Sequence, residues 1–135
     1  MRHDVVVIGG GAIGLSIAYY LRAHSSACSV GVVEMDPTYA VASTPRASGG
    51  ARRLFSTPEN IEMSNYSIDR FSTFDHDMRV DDDPFSISWK KNGYLFIMPH
   101  RAVRILETSL SVQRAHGVNV EFLSQSAVSY THLRA

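Results

Sequence analysis

Three glycines and one carboxylate carry the chemistry that can be read directly from this chain. The glycines form Gly9-x-Gly11-x-x-Gly14 inside "DVVVIGGGAIGLSIAYYL", residues 4–21, and the carboxylate is Glu34, twenty residues after Gly14. Each has a physical task. Gly9 permits a tight turn out of a strand, Gly11 lets backbone approach a pyrophosphate, and Gly14 allows helix and strand to pack closely. The pyrophosphate lies at the helix N-terminus, where unpaired N–H groups and the helix dipole favour negative charge. Ala12 and Ile13 belong to that first turn and Met35 follows the acid, so they count among the candidate cofactor contacts. Glu34 can accept hydrogen bonds from ribose hydroxyls and would repel a 2′-phosphate, which disfavours NADP. The motif itself leaves FAD and NAD open, since both carry an adenosine diphosphate.

The elements that must position these residues are legible around them. Val5 to Ile8 is a β-branched run, expected to be a strand buried on both faces of a parallel sheet. From Ala12 the period changes: Ile13, Ile17 and Leu21 recur at helical spacing, with Gly14 and Ala18 on an adjacent row of small residues that lets the helix lie close to the sheet. "SVGVVE", residues 29–34, reads as the neighbouring parallel strand. The competing readings are a ligand-free strand-to-helix turn and a short membrane anchor. Agreement of strand, glycines, helix and terminal acid favours dinucleotide binding over the first. The second fails because a spanning helix needs about 20 apolar residues and three consecutive glycines would unwind in hydrocarbon. Nor does the start resemble a signal peptide, since Asp4 and the glycines interrupt its pattern.

The 135 residues suffice for one domain, and thirteen basic against thirteen acidic residues leave no net charge. With no basic block, nothing points to a nucleic-acid partner. The single cysteine, Cys28, cannot form an internal disulfide, which fits a reducing, cytoplasmic setting. The six histidines show no ligand spacing, and the three aspartates of "VDDDP" read as a solvated acidic turn, so no metal site is expected.

Residues 35–57 form a long segment rich in Ser, Thr, Pro, Ala and Gly, of the kind that is functional or disordered inside a compact domain. Thr57 and Pro58 then suit the N-cap and first position of a helix running to about Asp75 through Ile61, Ile68 and Phe71. In "FSISWKKNGYLFIM", residues 85–98, the Asn92-Gly93 pair predicts a type I′ hairpin, with Lys91 opposite Tyr94, Trp89 opposite Phe96 and Ile87 opposite Met98. A further helix is expected over about 101–116, closed by Gly117 at C′, and "VNVEF" as a short strand.

Taken together, "VVIGGGAIGLSIAYYL", "VVEMDP" and "ASTPRASGGARRLFSTPENIEMS" resemble the N-terminal region of the D-amino acid oxidase/sarcosine oxidase superfamily of FAD-dependent oxidoreductases. The resemblance covers Asp4 to about Leu123. It implies that the loop runs along a flavin, with Ser43, Thr44, Ala47, Ser48, Gly49 and Gly50 at contact positions, and that Arg52 pairs with a substrate carboxylate. From composition alone the same loop and arginine would be ordinary surface. The implied chemistry is oxidation of the C–N bond of an amine or amino acid, by hydride transfer from carbon to flavin N5 and then imine hydrolysis. No side chain is nominated as catalytic.

The resemblance thus implies an α/β fold, a Rossmann-like FAD-binding βαβ unit followed by the start of an antiparallel substrate-domain sheet, incomplete in this chain. Residues 1–80 form the FAD-binding part, 81–127 begin the substrate domain, and 128–135, similar to translated adapter sequence, are a non-native tail. An N-terminal fragment of this kind is expected to be inactive alone, to bind FAD weakly or not at all, and to expose an apolar sheet edge. The rival readings are an NAD-dependent Rossmann dehydrogenase, which predicts continued βαβ alternation after Glu34, and a non-catalytic flavin-binding assembly subunit. Substrate and oligomeric state are left open.

Overall fold

The computed structural model describes residues 2–124 and 126–127. The expected tail, 128–135, lies outside them. The chain divides into two compact units, one up to Gly50 and one from Ala51 onward.

The first unit is a βαβ arrangement of β1 (Val5–Ile8), α1 (Ala12–His24) and β2 (Val30–Val33). β1 and β2 are parallel, in a register that runs from Val5 opposite Val30 to Ile8 opposite Val33. Backbone bonds extend the pairing at both ends, from Asp4 N–H to the Ser29 carbonyl at 3.0 Å and from Gly9 N–H to the Val33 carbonyl at 2.8 Å. The Asp4 carboxylate adds a bond from the Ser29 N–H at 2.8 Å, which fixes where β2 begins.

α1 meets the sheet through its small residues. A Cβ on Gly14 would stand 1.9 Å from the Gly9 carbonyl oxygen and 3.2 Å from Val7 Cγ1, so only glycine permits this approach. Ala18 and Leu21 continue that half-buried face. The isoleucines of the apolar stripe point elsewhere: Ile13 is 80% exposed, and with Ile17 and Tyr20 it lines an open apolar groove of about 670 Å3. The expectation of strands buried on both faces is corrected likewise. α1 covers one face of the pair, while Val6 at 53% and Ile8 at 89% exposure stand on the other. A parallel sheet buries both faces only when helices flank it on both sides, and this unit contains one helix.

The second unit is built on α2 (Pro58–Asp77) and α3 (Val103–Ala115), the latter entered through a 3-10 turn at His100–Ala102. Its core gathers Ile61 from α2, Leu110 from α3 and Val118 beyond it. Gln113 is buried beside them and donates from Nε2 to the Phe55 carbonyl at 3.0 Å, so its polar end is satisfied. Asn65 on α2 donates to the His116 carbonyl at 3.0 Å, and Glu62 lies 3.2 Å from His116 Nδ1. α3 ends as its sequence predicts. Gly117 adopts φ +73°, its N–H bonds the Arg114 carbonyl and the Val118 N–H bonds the Gln113 carbonyl, which is the Schellman pattern. Thr57 occupies the N-cap of α2, but its hydroxyl makes no cap bond to the helix backbone and instead lies 3.4 Å from Asn60 Nδ2.

Two expected β elements are absent among the described residues. Residues 85–98 form no antiparallel ladder. A type I′ turn needs positive φ at both central residues, yet Gly93 takes it, at +76°, and Asn92 does not. That combination splays the flanking segments instead of matching their twist. Upstream, Ser88 adopts φ +52°, and the Asp75 carboxylate binds the Ser86 hydroxyl and the Ile87 N–H. Trp89 therefore packs on Phe71, ring centroids 5.4 Å apart, and not opposite Phe96. Its buried indole N–H has no acceptor among the described residues. "VNVEF" is likewise not a strand: Val118 is consumed in the helix terminus and the Val120 carbonyl accepts Arg114 Nε at 3.3 Å.

Candidate functional site

The glycine turn joins β1 to α1. Gly9 has φ +99°, a left-handed conformation that turns the chain out of the strand at little cost only for glycine. Gly11 is the N-cap of α1, and a Cβ built there would meet nothing within 4 Å. Open space therefore adjoins the backbone where an approaching ligand needs it.

The helix N-terminus is bare. Gly11 has no side chain with which to cap it, and the first turn contains no acidic residue. The N–H groups of Ala12, Ile13 and Gly14 are the ones an α-helix leaves without internal acceptors, and they carry the positive end of its dipole. These features fit a diphosphate: unspent donors, favourable field and no side chain in the way.

Glu34 follows directly on β2 and reaches the same turn. Its Oε2 accepts the Gly10 N–H at 2.6 Å and its Oε1 accepts the Asp36 N–H at 2.9 Å. These two amides, Asp36 first and then Gly10, hold the carboxyl below its ordinary value. An ionised carboxylate offers about four acceptor sites, so capacity remains for a sugar hydroxyl. Asp36 folds the next segment, accepting from the Thr38 side chain and backbone and from the Ala40 N–H, and those bonds lower its own pKa.

The sequence reading missed Tyr39. It takes φ +56°, and its hydroxyl would lie 3.0 Å from a Cβ on Gly10, beside the Glu34 side chain. The turn donating Tyr39 N–H to the Asp36 carbonyl places it there. The only signal was the Asp-Pro pair that opens this turn.

The structure thus brings Gly9, Gly11, Ala12, Ile13 and Gly14 together with Glu34. Met35, 90% exposed, adjoins them in sequence. Ser43, Thr44, Ala47, Ser48, Gly49 and Gly50 are all exposed in the same unit. They run through successive turns, with Arg46 N–H bonded to Ser43 and Ala47 N–H to Thr44, each at 3.2 Å. Among the described residues no hydrogen bond ties that loop to the glycine turn. Arg52 falls in the second unit. Asp81–Asp83 fold into a turn, with Asp83 N–H bonded to the Val80 carbonyl at 3.1 Å. Among the described residues, no helix is long and apolar enough to cross a membrane.

Comparison with known proteins agrees with the turn. Residues 4–132 match the family model described as FAD dependent oxidoreductase. The FAD-dependent oxidoreductase domain-containing protein 1 of Xenopus laevis is 40% identical over 126 residues, covering 90% of this chain and 25% of that protein. Its Bos taurus counterpart is 38% identical over 127 residues, 91% of this chain and 26% of its own length. The Drosophila melanogaster homolog is 33% identical over 122 residues, 90% of this chain and 23% of its own. The chain therefore spans about a quarter of the length of these curated relatives. No solved structure matches significantly. With the glycine turn, the acid that closes it and a match over nearly the whole chain, this protein belongs to the family of FAD-dependent oxidoreductases.

Proposed function

We propose that the chain is the flavin-anchoring part of an enzyme that oxidises the C–N bond of an amine or amino acid. The observation that carries this reading is the bare N-terminus of α1 beside Glu34. The Rossmann-like turn would hold the diphosphate on the N–H groups of Gly11, Ala12, Ile13 and Gly14, while Glu34 receives the adenosine ribose. Tyr39 stands beside that acid as an additional contact. Ser43, Thr44, Ala47, Ser48, Gly49 and Gly50 would supply hydroxyls and unshielded backbone to the rest of the cofactor. Bound FAD would supply the hydride acceptor.

Arg52 is the proposed substrate contact. Its guanidinium has no carboxylate partner among the described residues, and an arginine fork suits a substrate carboxylate. Such a substrate would be held by its carboxyl group with the reacting carbon left free for transfer. The lone thiol Cys28 is in keeping with a cytoplasmic setting.

The test uses a flavin-loaded polypeptide of the relatives' length that carries this sequence, mixed anaerobically with a panel of amines and amino acids. Bleaching of the flavin by an amino acid, with Arg52→Ala raising KM more than it lowers kcat, is the expected result. Retained FAD with no bleaching by any member would overturn the proposal.

A further inference from the structure

The two adjacent arginines of the second unit have different surroundings. Arg53 is half-buried, with Nη1 3.4 Å from Asn65 Oδ1, and Asn65 is itself bonded to the end of α3. Arg53 is thereby part of the packing between elements. Arg52 is exposed, and its contacts are aromatic: Cζ lies 5.1 Å from the Phe55 ring centroid and 6.0 Å from that of Phe96. Phe96 in turn stacks on Tyr94, with centroids 6.3 Å apart and planes 29° from parallel. A guanidinium resting on rings spends none of its five N–H donors on them.

Phe96 and Tyr94 are each about half exposed. They form an open apolar shelf beside a cation whose donors meet no acceptor among the described residues. Large aromatic rings left in this position are costly to hydrate unless something covers them.

We propose that Phe55 and Phe96 are positioning residues for Arg52, and that the Phe96–Tyr94 shelf makes the site select carboxylates bearing an aromatic or bulky apolar substituent. The inference rests on the reading of Arg52 as the carboxylate contact. Phe55, nearer and half-buried, restricts where the guanidinium can lie. Phe96 lies under the cation, so its ring is at hand for the substituent of a carboxylate bound there.

The test titrates the 135-residue chain with acetate and with phenylacetate, following the Arg52 Nε–H resonance by NMR. Phenylacetate is expected to bind more tightly than acetate by roughly five-fold, the scale of one aromatic pair. Phe96→Leu should bring that ratio close to one with acetate affinity little changed, and Phe96→Tyr should restore it. Phe55→Leu should weaken both ligands alike. All three positions lie outside the Ile61–Leu110–Val118 core, and helix content measured alongside verifies folding. If Arg52→Ala abolishes binding of both carboxylates but Phe96→Leu leaves the ratio intact, the shelf is overturned and the role of Arg52 stands. If Arg52→Ala changes neither affinity, the reading of Arg52 fails and the shelf with it.

Discussion

Glu34 closes the glycine turn from the end of the neighbouring strand: its Oε2 accepts the N–H of Gly10 at 2.6 Å across 24 residues of sequence. The bond depends on the ionised carboxylate. Because the Asp36 and Gly10 amides lower the folded pKa below the ordinary 4.5, this contribution to stability is fully present above about that pH. It is lost as pH falls through the lowered value. The Gly10 amide resonance is therefore expected to titrate with a midpoint below 4.5, and Glu34→Gln should abolish that titration. A midpoint above 4.5 would mean that the amide bonds do not persist in solution.

Gly11 and Gly14 separate ligand approach from packing. Gly14→Ala puts a Cβ 1.9 Å from the Gly9 carbonyl and forces α1 away from β1. Overpacking of this kind costs about 1–3 kcal/mol, measured as a shift in urea midpoint at constant slope. Gly11→Ala meets nothing within 4 Å and should change stability by less than about 0.5 kcal/mol. It should nevertheless weaken the chemical-shift response of α1 to millimolar ADP, since its methyl group occupies the approach path. Equal loss of stability in both variants would contradict the assignment of these two tasks.

The open face of the sheet predicts behaviour in isolation. Val6, Ile8 and Val33 stand exposed there, and Ile13 and Ile17 are exposed on α1. The purified chain is expected to bind an apolar dye, to associate with rising concentration, and to retain less than stoichiometric flavin. Threonine at positions 6, 8 and 33 should reduce dye binding and association together, read by fluorescence and light scattering. A monomeric chain with a full complement of yellow chromophore would contradict this.

The end of α3 offers a test free of packing changes. Gly117 holds φ +73° with open space around its Cβ position, so alanine there adds backbone strain and little else. Gly117→Ala should destabilise the second unit by about 1–2 kcal/mol and Gly117→Asn by less, because asparagine tolerates the left-handed region. Chemical denaturation followed by helix circular dichroism measures both.

What the sequence disclosed and what it hid follow from the range of the forces involved. β1, α1 and β2 were legible because apolar run, glycine spacing and terminal acid are each written as a local pattern and agree, even though the Glu34 contact itself spans 24 residues. α2 and α3 were legible from Thr57-Pro58 and Gly117, which set helix limits locally. The hairpin was not: Asn92-Gly93 favours a turn, but Asp75, on a different element, binds Ser86 and Ile87, and Phe71 takes Trp89. Those partners are 11 to 18 residues away and leave no local pattern. In the candidate site, the position of Glu34 followed from strand length, whereas Tyr39 depended on a left-handed turn that its side chain does not announce.

The parallel pairing of β1 with β2 has a further consequence for how the polypeptide is made. All three elements of the dinucleotide turn lie between Val5 and Val33, so the contacts that shape it close within one continuous segment. Synthesis delivers this segment ahead of the second unit, and its assembly need not await that unit. The growing polypeptide can thus present a nucleotide cradle while its greasy side, Val6, Ile8 and Val33, is still bare.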